Sequence, residues 1–211
     1  MTQEHTSAGS AASRRPRTKP AEVRLEELMG AAERLFLEKG VETTTISEIV
    51  EAADVAKGTF YHYFSSKNDM LEALGKRYTT QFMKRLQVAV DACAANDWPG
   101  RLRTWIRANI DTYVETYRIH DIVYVNHHHH DRANAARNAI LDQLREILER
   151  GASAGVWQLA HPHVTALLIY AGVHGATDDI IVAKPSDHSM LAQAVIDNCL
   201  RMVGLGGEAA G

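Results

Sequence analysis

Residues 57–64 read Lys-Gly-Thr-Phe-Tyr-His-Tyr-Phe, a stretch in which a cation, hydroxyls and an imidazole are interleaved with aromatic rings. These groups suit the gripping of a polyanion. The Lys57 ammonium can meet a phosphate or a guanine edge, Thr59 can touch a phosphate or a thymine methyl, and the hydroxyls of Tyr61 and Tyr63 can donate to phosphate oxygens. At helical spacing Val55, Phe60 and Phe64 fall on one side, which leaves Lys57, Gly58, Thr59, Tyr61 and His62 on or near the other. Filling a small core accounts for Phe60 and Phe64 but not for the donor-rich side. Gly58 costs a helix about 1 kcal/mol in propensity, which a purely structural helix has no reason to bear, whereas a missing Cβ lets the backbone come close to a duplex. Lys67, at the start of the following helix, adds a cation beside free backbone N–H groups, a suitable phosphate site.

The surrounding sequence supplies elements to position this stretch. Leu25, Leu28, Met29, Ala32, Leu35 and Phe36 recur on one face of a helix, and Gly40 ends it. Thr44 or Thr45 then caps a short second helix, Thr45 with Glu48 fits a reciprocal capping box, and Ile46, Ile49 and Val50 form its buried side. Asp54 sits where the chain must turn, and Asp tolerates the left-handed conformation better than most residues. The 57–64 stretch forms the third helix. Ser65 or Ser66 caps a long fourth, with Met70, Leu71, Leu74, Tyr78 and Phe82 along it. Two short helices joined by a tight turn, the second showing polar groups, are the geometry that lays a recognition helix in the DNA major groove.

Beyond the fourth helix the chain stays helical. Breaks are expected around Pro99, at the histidine run near 128, at 150–155 and at 183–187, with segments of about 20 residues between them and a shorter one before the histidines. No strand-like alternation is convincing, so the expected fold is all-α. It divides into a flexible basic arm (1–20), a helix-turn-helix DNA-binding domain (21–67), an effector-binding and dimerisation domain (68–205) and a flexible tail (206–211). The arm carries Arg14, Arg15, Arg17 and Lys19 and reads either as a solvated tail or as a segment touching phosphates or a minor groove.

A chain of 211 residues with 45% hydrophobic content can bury a sizeable core, and its formal charge of −3 puts any DNA affinity in a local arrangement of cations. No apolar run approaching the ~18 to 20 residues of a bilayer span and no signal-peptide stretch are apparent, so a cytoplasmic protein without a membrane partner is expected. Two cysteines, Cys93 and Cys199, read as small buried apolar residues. No nucleophile motif, oxyanion glycine turn or phosphate loop is found, so the chain reads as no enzyme, with no cofactor.

The segment RLFLEKGVETTTISEIVEAADVAKGTFYHYFSSKNDML (34–71) resembles the N-terminal signature of the TetR family of bacterial transcriptional regulators. The resemblance covers residues 21 to about 77 and rests on the specific runs G-x-x-x-T-T-x-x-x-I and K-G-T-x-Y-x-Y-F-x-x-K. It implies a homodimeric, all-α repressor that leaves its DNA when a small molecule enters the C-terminal domain. It aligns Thr45, Lys57, Gly58, Thr59, Tyr61, His62, Tyr63 and Lys67 with the positions by which the family holds its operator. Two positions depart from the pattern, Asp54 where Gly is usual and Ala56 where Ser is usual, so the third helix lacks a capping hydroxyl. Two heads about 34–36 Å apart would enter successive major grooves of a near-palindromic operator, and helix four, with Lys67 at one end and Tyr78 and Phe82 further along, would be the lever.

Two helices near the C-terminus, HVTALLIYAGVHGATDDI and SMLAQAVIDNCLRMV, have broad apolar faces that include Leu167, Leu168, Ala171, Gly172 and Gly175, and Leu191, Ala194, Val195 and Met202. They are expected to form a four-helix dimer seam. Between lever and seam, Trp105, Tyr113, Tyr117, Tyr170 and His174 are the candidates to line an effector pocket. In the run His127–His130, only His127, His130 and Asp131 share one side of a helix, and His174 with Asp178 repeats an i, i+4 pair. A Zn²⁺ or Cu²⁺ site joining the two groups would make a metal-responsive regulator or, in another class, a metal-assisted hydrolase. The spacing lacks a compact ligand motif, so no metal ligand is assigned.

Overall fold

A computed structural model describes residues 20–125, 135–185 and 187–205. Among them are eight α-helices: α1 (Ala21–Lys39), α2 (Ile46–Ala52), α3 (Lys57–Tyr63), α4 (Lys67–Asp91), α5 (Trp98–His120), α6 (Ala135–Ser153), α7 (Pro162–Ala183) and α8 (Ser189–Met202). A π-helical turn, Asp121–Val125, prolongs α5. No strand occurs among the described residues. The expected all-α fold with a helix-turn-helix head and a larger helical body is the fold observed.

The local signals act as their chemistry requires. Gly40 ends α1 at φ 87°, and its N–H donates to the Phe36 carbonyl. Thr45 caps α2 by accepting from the Glu48 N–H, while the Glu48 carboxylate accepts from the Thr45 N–H at 2.8 Å, so the capping box is closed. Asp54 takes φ 52° in the turn before α3. Ser66 caps α4 by accepting from the Asp69 N–H. Helix α3 begins at Ala56 with no side-chain cap, the consequence of an alanine there.

Two hydrophobic cores follow from this arrangement. The head core collects Leu28, Met29, Phe36, Ile49, Val50, Phe60, Phe64, Met70, Leu71 and Leu74, together with Val123 from the π turn. The body core joins α4–α8 through Leu86, Trp105, Ile106, Leu144, Leu148, Ile169 and Ile196. Tyr78 packs against both, so α4 belongs to head and body alike. Arg77 on α4 pairs with Glu26 at 3.1 Å and with Glu33, and Arg118 on α5 donates to the Leu37 carbonyl at 3.0 Å.

Three expectations need correction. No short segment precedes the histidines, because α5 runs on into the π turn as far as Val125. Helix α6 continues through Gly151 to Ser153, and the glycine serves packing: a Cβ there would lie 2.1 Å from the Trp157 ring, whose indole N–H donates to the Leu148 carbonyl at 2.8 Å. Helix α7 is long and apolar enough, by length and composition, to cross a bilayer, although no such run was expected. That composition reflects service on two sides. Ala166, Ile169, Val173 and Ile180 are buried, while Val164, Leu168 and Val182 lie open. Cys199 is buried, which pushes its thiol up to about 11, whereas Cys93 is only half-buried.

Candidate nucleic-acid interface and internal cavity

The turn at Asp54 and the burial of Phe60 (0% exposed) and Phe64 (6%) orient α3 so that its other side faces outward. Lys57, Gly58, Tyr61 and His62 are exposed and Thr59 is half-buried. The Tyr61 ring stands edge-on to Phe60 at 5.4 Å with its phenol held out, 53% of the residue accessible. Lys57 has no hydrogen-bond or ion-pair partner among the described residues. A Cβ on Gly58 would meet no atom within 4 Å among the described residues, so no packing contact among them calls for glycine there. Thr45 lies exposed at the α2 N-terminus with its side chain engaged in the capping box.

Tyr63 and Lys67 do not stand open like the α3 face. The Tyr63 hydroxyl donates to the Ala21 carbonyl at 2.9 Å, tying α3 to the start of α1. The Lys67 ammonium donates to the carbonyls of Val41 (2.5 Å), Glu42 (3.2 Å) and Thr44 (3.0 Å). An ammonium has three N–H donors, and here all three are taken by backbone oxygens that the α1–α2 loop leaves without helical partners. In place of the free phosphate grip expected from sequence, Lys67 fastens the head internally. Spacing could not reveal this, because the loop carbonyls are more than 20 residues away.

In the body, α4, α5, the π turn, α6 and α7 line a partly open cavity of about 180 Å³. Tyr78, Thr79 and Phe82 come from α4, Asn109, Tyr113 and His120 from α5, and Tyr124 from the π turn. Arg137 and Ile140 of α6 and Tyr170 and His174 of α7 complete it. Of the pocket candidates, Tyr113, Tyr170 and His174 line this space. Trp105 does not: it is fully buried in the body core and donates to Gln143 at 3.0 Å. Tyr117 is half-buried against that core and is not among the lining residues. Sequence reading missed Asn109 and His120, which carry no motif, and treated Tyr78 and Phe82 as parts of the lever without seeing that the lever is also a wall.

The walls are stacked rings. His174 lies parallel to Tyr113 at 4.9 Å and to Tyr170 at 5.9 Å, and His120 stands edge-on to Tyr113 at 4.8 Å. Burial pushes Tyr78 up to about 12 and also raises Tyr113, Tyr124 and Tyr170, so these walls present neutral phenols. For Tyr113 the hydrogen bond to Asp178, 3.0 Å, works in the same direction. Burial holds His120 below the ordinary histidine range against the opposing pull of Asp121. Asn109 is 6% exposed and lines the cavity, and its carboxamide has no hydrogen-bond partner among the described residues.

The metal-responsive alternative rests on His127, His130 and Asp131 together with His174 and Asp178. Among the described residues no three His, Cys, Asp or Glu side chains gather to hold an ion, and His174 stands 3.9 Å from Asp178. His127, His130 and Asp131 lie outside the described residues, as do nearly all of the basic arm and the tail from 206 on.

On the outer surface, Leu168 (57% exposed), Leu191 (46%) and Met202 (44%) form an apolar strip across α7 and α8, with Gly172 and Ala194 between them. Leu167 and Val195, expected on the same seam, turn partly into the body core.

Residues 28–74 match the family described as "Bacterial regulatory proteins, tetR family". The chain is 39% identical over 62 residues to the uncharacterized HTH-type transcriptional regulator YvdT of Bacillus subtilis, covering 29% of this chain and 32% of that one. It is 32% identical over 68 residues to the HTH-type transcriptional repressor KstR2 of Mycobacterium tuberculosis, covering 32% and 34%. These matches span about a third of the curated relatives' length. Over the whole fold, the chain superposes on the transcriptional regulator FadR of Bacillus subtilis, solved in complex with stearoyl-CoA. The TM-score is 0.68 at 20% identity, with 86% of this chain and 99% of that one covered.

Proposed function

We propose, from a head that belongs to the tetR family of bacterial regulatory proteins, that the chain is a dimeric DNA-binding transcriptional regulator, a repressor released from a near-palindromic operator by a small-molecule ligand. The observation that carries the proposal is the outward face of α3. Among the described residues it joins an unpartnered Lys57, an exposed Tyr61 and a Gly58 with open space where its side chain would be. Each is a poor choice for a helix that only packs, and each suits close approach to a phosphate backbone. In this reading Lys57, Thr59, Tyr61 and His62 touch the duplex, Gly58 lets the helix backbone near it, and Thr45 meets a phosphate from the N-terminus of α2. Tyr63 and Lys67 act chiefly by holding α3 and α4 in register.

The cavity beside α4 is the effector site. A ligand that wedges α4, α5 and α7 apart would swing α4 and change the spacing of the two heads, so that one loses its groove. The apolar strip on α7 and α8 is the dimer seam, and its exposure in the single chain supports that assignment. The stearoyl-CoA held by FadR belongs to a protein 20% identical, so the effector here is to be sought in this chain's own cavity.

The test is the affinity for the DNA upstream of the protein's own gene, measured against salt. A specific dimer loses affinity steeply as salt rises. Lys57→Ala should weaken binding about tenfold at low salt with an unchanged unfolding midpoint and a shallower salt slope. Binding insensitive both to salt and to Lys57 would sink the proposal.

A further inference from the structure

The cavity has a chemistry that narrows its occupant, an inference that rests on the regulator reading only for the ligand's role. Size comes first. A protein cavity of about 150 Å³ admits one benzene, and here the volume is about 180 Å³, below the several hundred of an ordinary ligand pocket. One substituted ring fills such a volume. Shape agrees, since the walls are the flat faces and edges of Tyr113, His120, Tyr170 and His174, against which a planar ring stacks or stands edge-on.

Polarity comes from three groups with hydrogen-bonding capacity left unused among the described residues. Asn109 is a buried residue on the cavity border, and its carboxamide offers both a donor and an acceptor to an occupant. The Tyr170 hydroxyl can do either. His120 is more specific. Its Nδ1 lies 3.2 Å from Asp121 Oδ1, and a carboxylate can only accept, so the proton of the neutral ring sits on Nδ1. Nε2 is thereby left as a bare acceptor, which calls for a ligand that donates.

We propose that this cavity binds a small, single-ring phenol, whose hydroxyl donates to His120 Nε2 and whose second polar substituent meets the Asn109 carboxamide. The ring lies among Tyr78, Tyr113 and Tyr170. Arg137 also borders the cavity, so an aromatic carboxylate is the competing occupant, and the test sets the two against each other.

The experiment is calorimetric titration of the DNA-free full chain with 4-hydroxyacetophenone, with acetophenone, which lacks the hydroxyl, and with benzoate. The phenol should bind at least about tenfold more tightly than acetophenone, the range expected when a buried acceptor loses its donor. His120→Phe, which keeps a ring in place but removes Nε2, should bring that ratio to about one. Asn109→Leu should weaken both ketones while leaving the ratio intact, and it serves if the first variant does not fold. Equal binding of phenol and acetophenone, tighter binding of benzoate, or no binding of the phenol up to about 1 mM overturns the inference. Because no DNA is present, any of these results leaves operator binding untouched, and a failure of operator binding leaves the phenol preference to stand by itself.

Discussion

The α3 face and the body cavity are both built from rings and hydroxyls, yet they are made in opposite ways. The face is drawn from six consecutive residues, Lys57 to His62, and its geometry is set by one turn and two inward phenylalanines. The cavity takes its walls from five elements between Tyr78 and His174. A site of the first kind depends on local backbone geometry and fails when one anchor fails. A site of the second kind depends on tertiary packing, and its groups are adjusted by burial, as the raised tyrosines and depressed His120 record.

This difference can be broken from the head first. Phe60→Ala removes a fully buried ring, and the loss should be about 3–5 kcal/mol in denaturant unfolding, with operator binding abolished. Two glycines then separate the regions by sign. Gly151→Ala puts a methyl 2.1 Å from the Trp157 ring and should cost about 1–3 kcal/mol by the same measurement. Thr45→Ala, which opens the capping box of α2, should cost about 1 kcal/mol. Gly58→Ala should do the reverse of Gly151→Ala, adding up to about 1 kcal/mol of stability while lowering operator affinity, a combination that a packing role for Gly58 cannot yield.

The smallest effect concerns pH. The hydrogen bond from Lys39, then that from the Thr45 backbone, hold the exposed Glu48 carboxyl down at about 2 against an ordinary 4.5. A depressed carboxyl contributes stability that is fully present above the ordinary value and is lost as pH falls through the folded one. Melting temperature should therefore decline between pH 4.5 and 2, and less so in Lys39→Ala.

The same contrast explains what the sequence made legible. Helix starts and stops in the head rest on contacts within a few residues, so Gly40, the Thr45–Glu48 box, Asp54 and a cap at Ser65 or Ser66 could be placed from types and spacing. Lys67 misled because its partners lie in a loop that spacing does not bring near. In the body, aromatic content pointed to a cavity and to Tyr113, Tyr170 and His174 on its walls, but could not separate these from Trp105 and Tyr117: Trp105 and Tyr113 look alike in sequence, and only packing sends one into the core and the other to the wall. Asn109 carried no signal, since an isolated Asn on a helix is ordinarily solvated. The π turn was invisible because no residue pattern there departs from that of α5.

The three carbonyl contacts of Lys67 bear on how movement spreads. An ammonium clasped by Val41, Glu42 and Thr44 fastens the first turn of α4 to the junction of α1 and α2 as a lug fastens a wheel. Charge-assisted hydrogen bonds are stronger than neutral ones, so this joint couples the first turn of α4 to the α1–α2 loop. In the proposed mechanism the α3 face turns with α4, so that a displacement at the cavity is carried to the head.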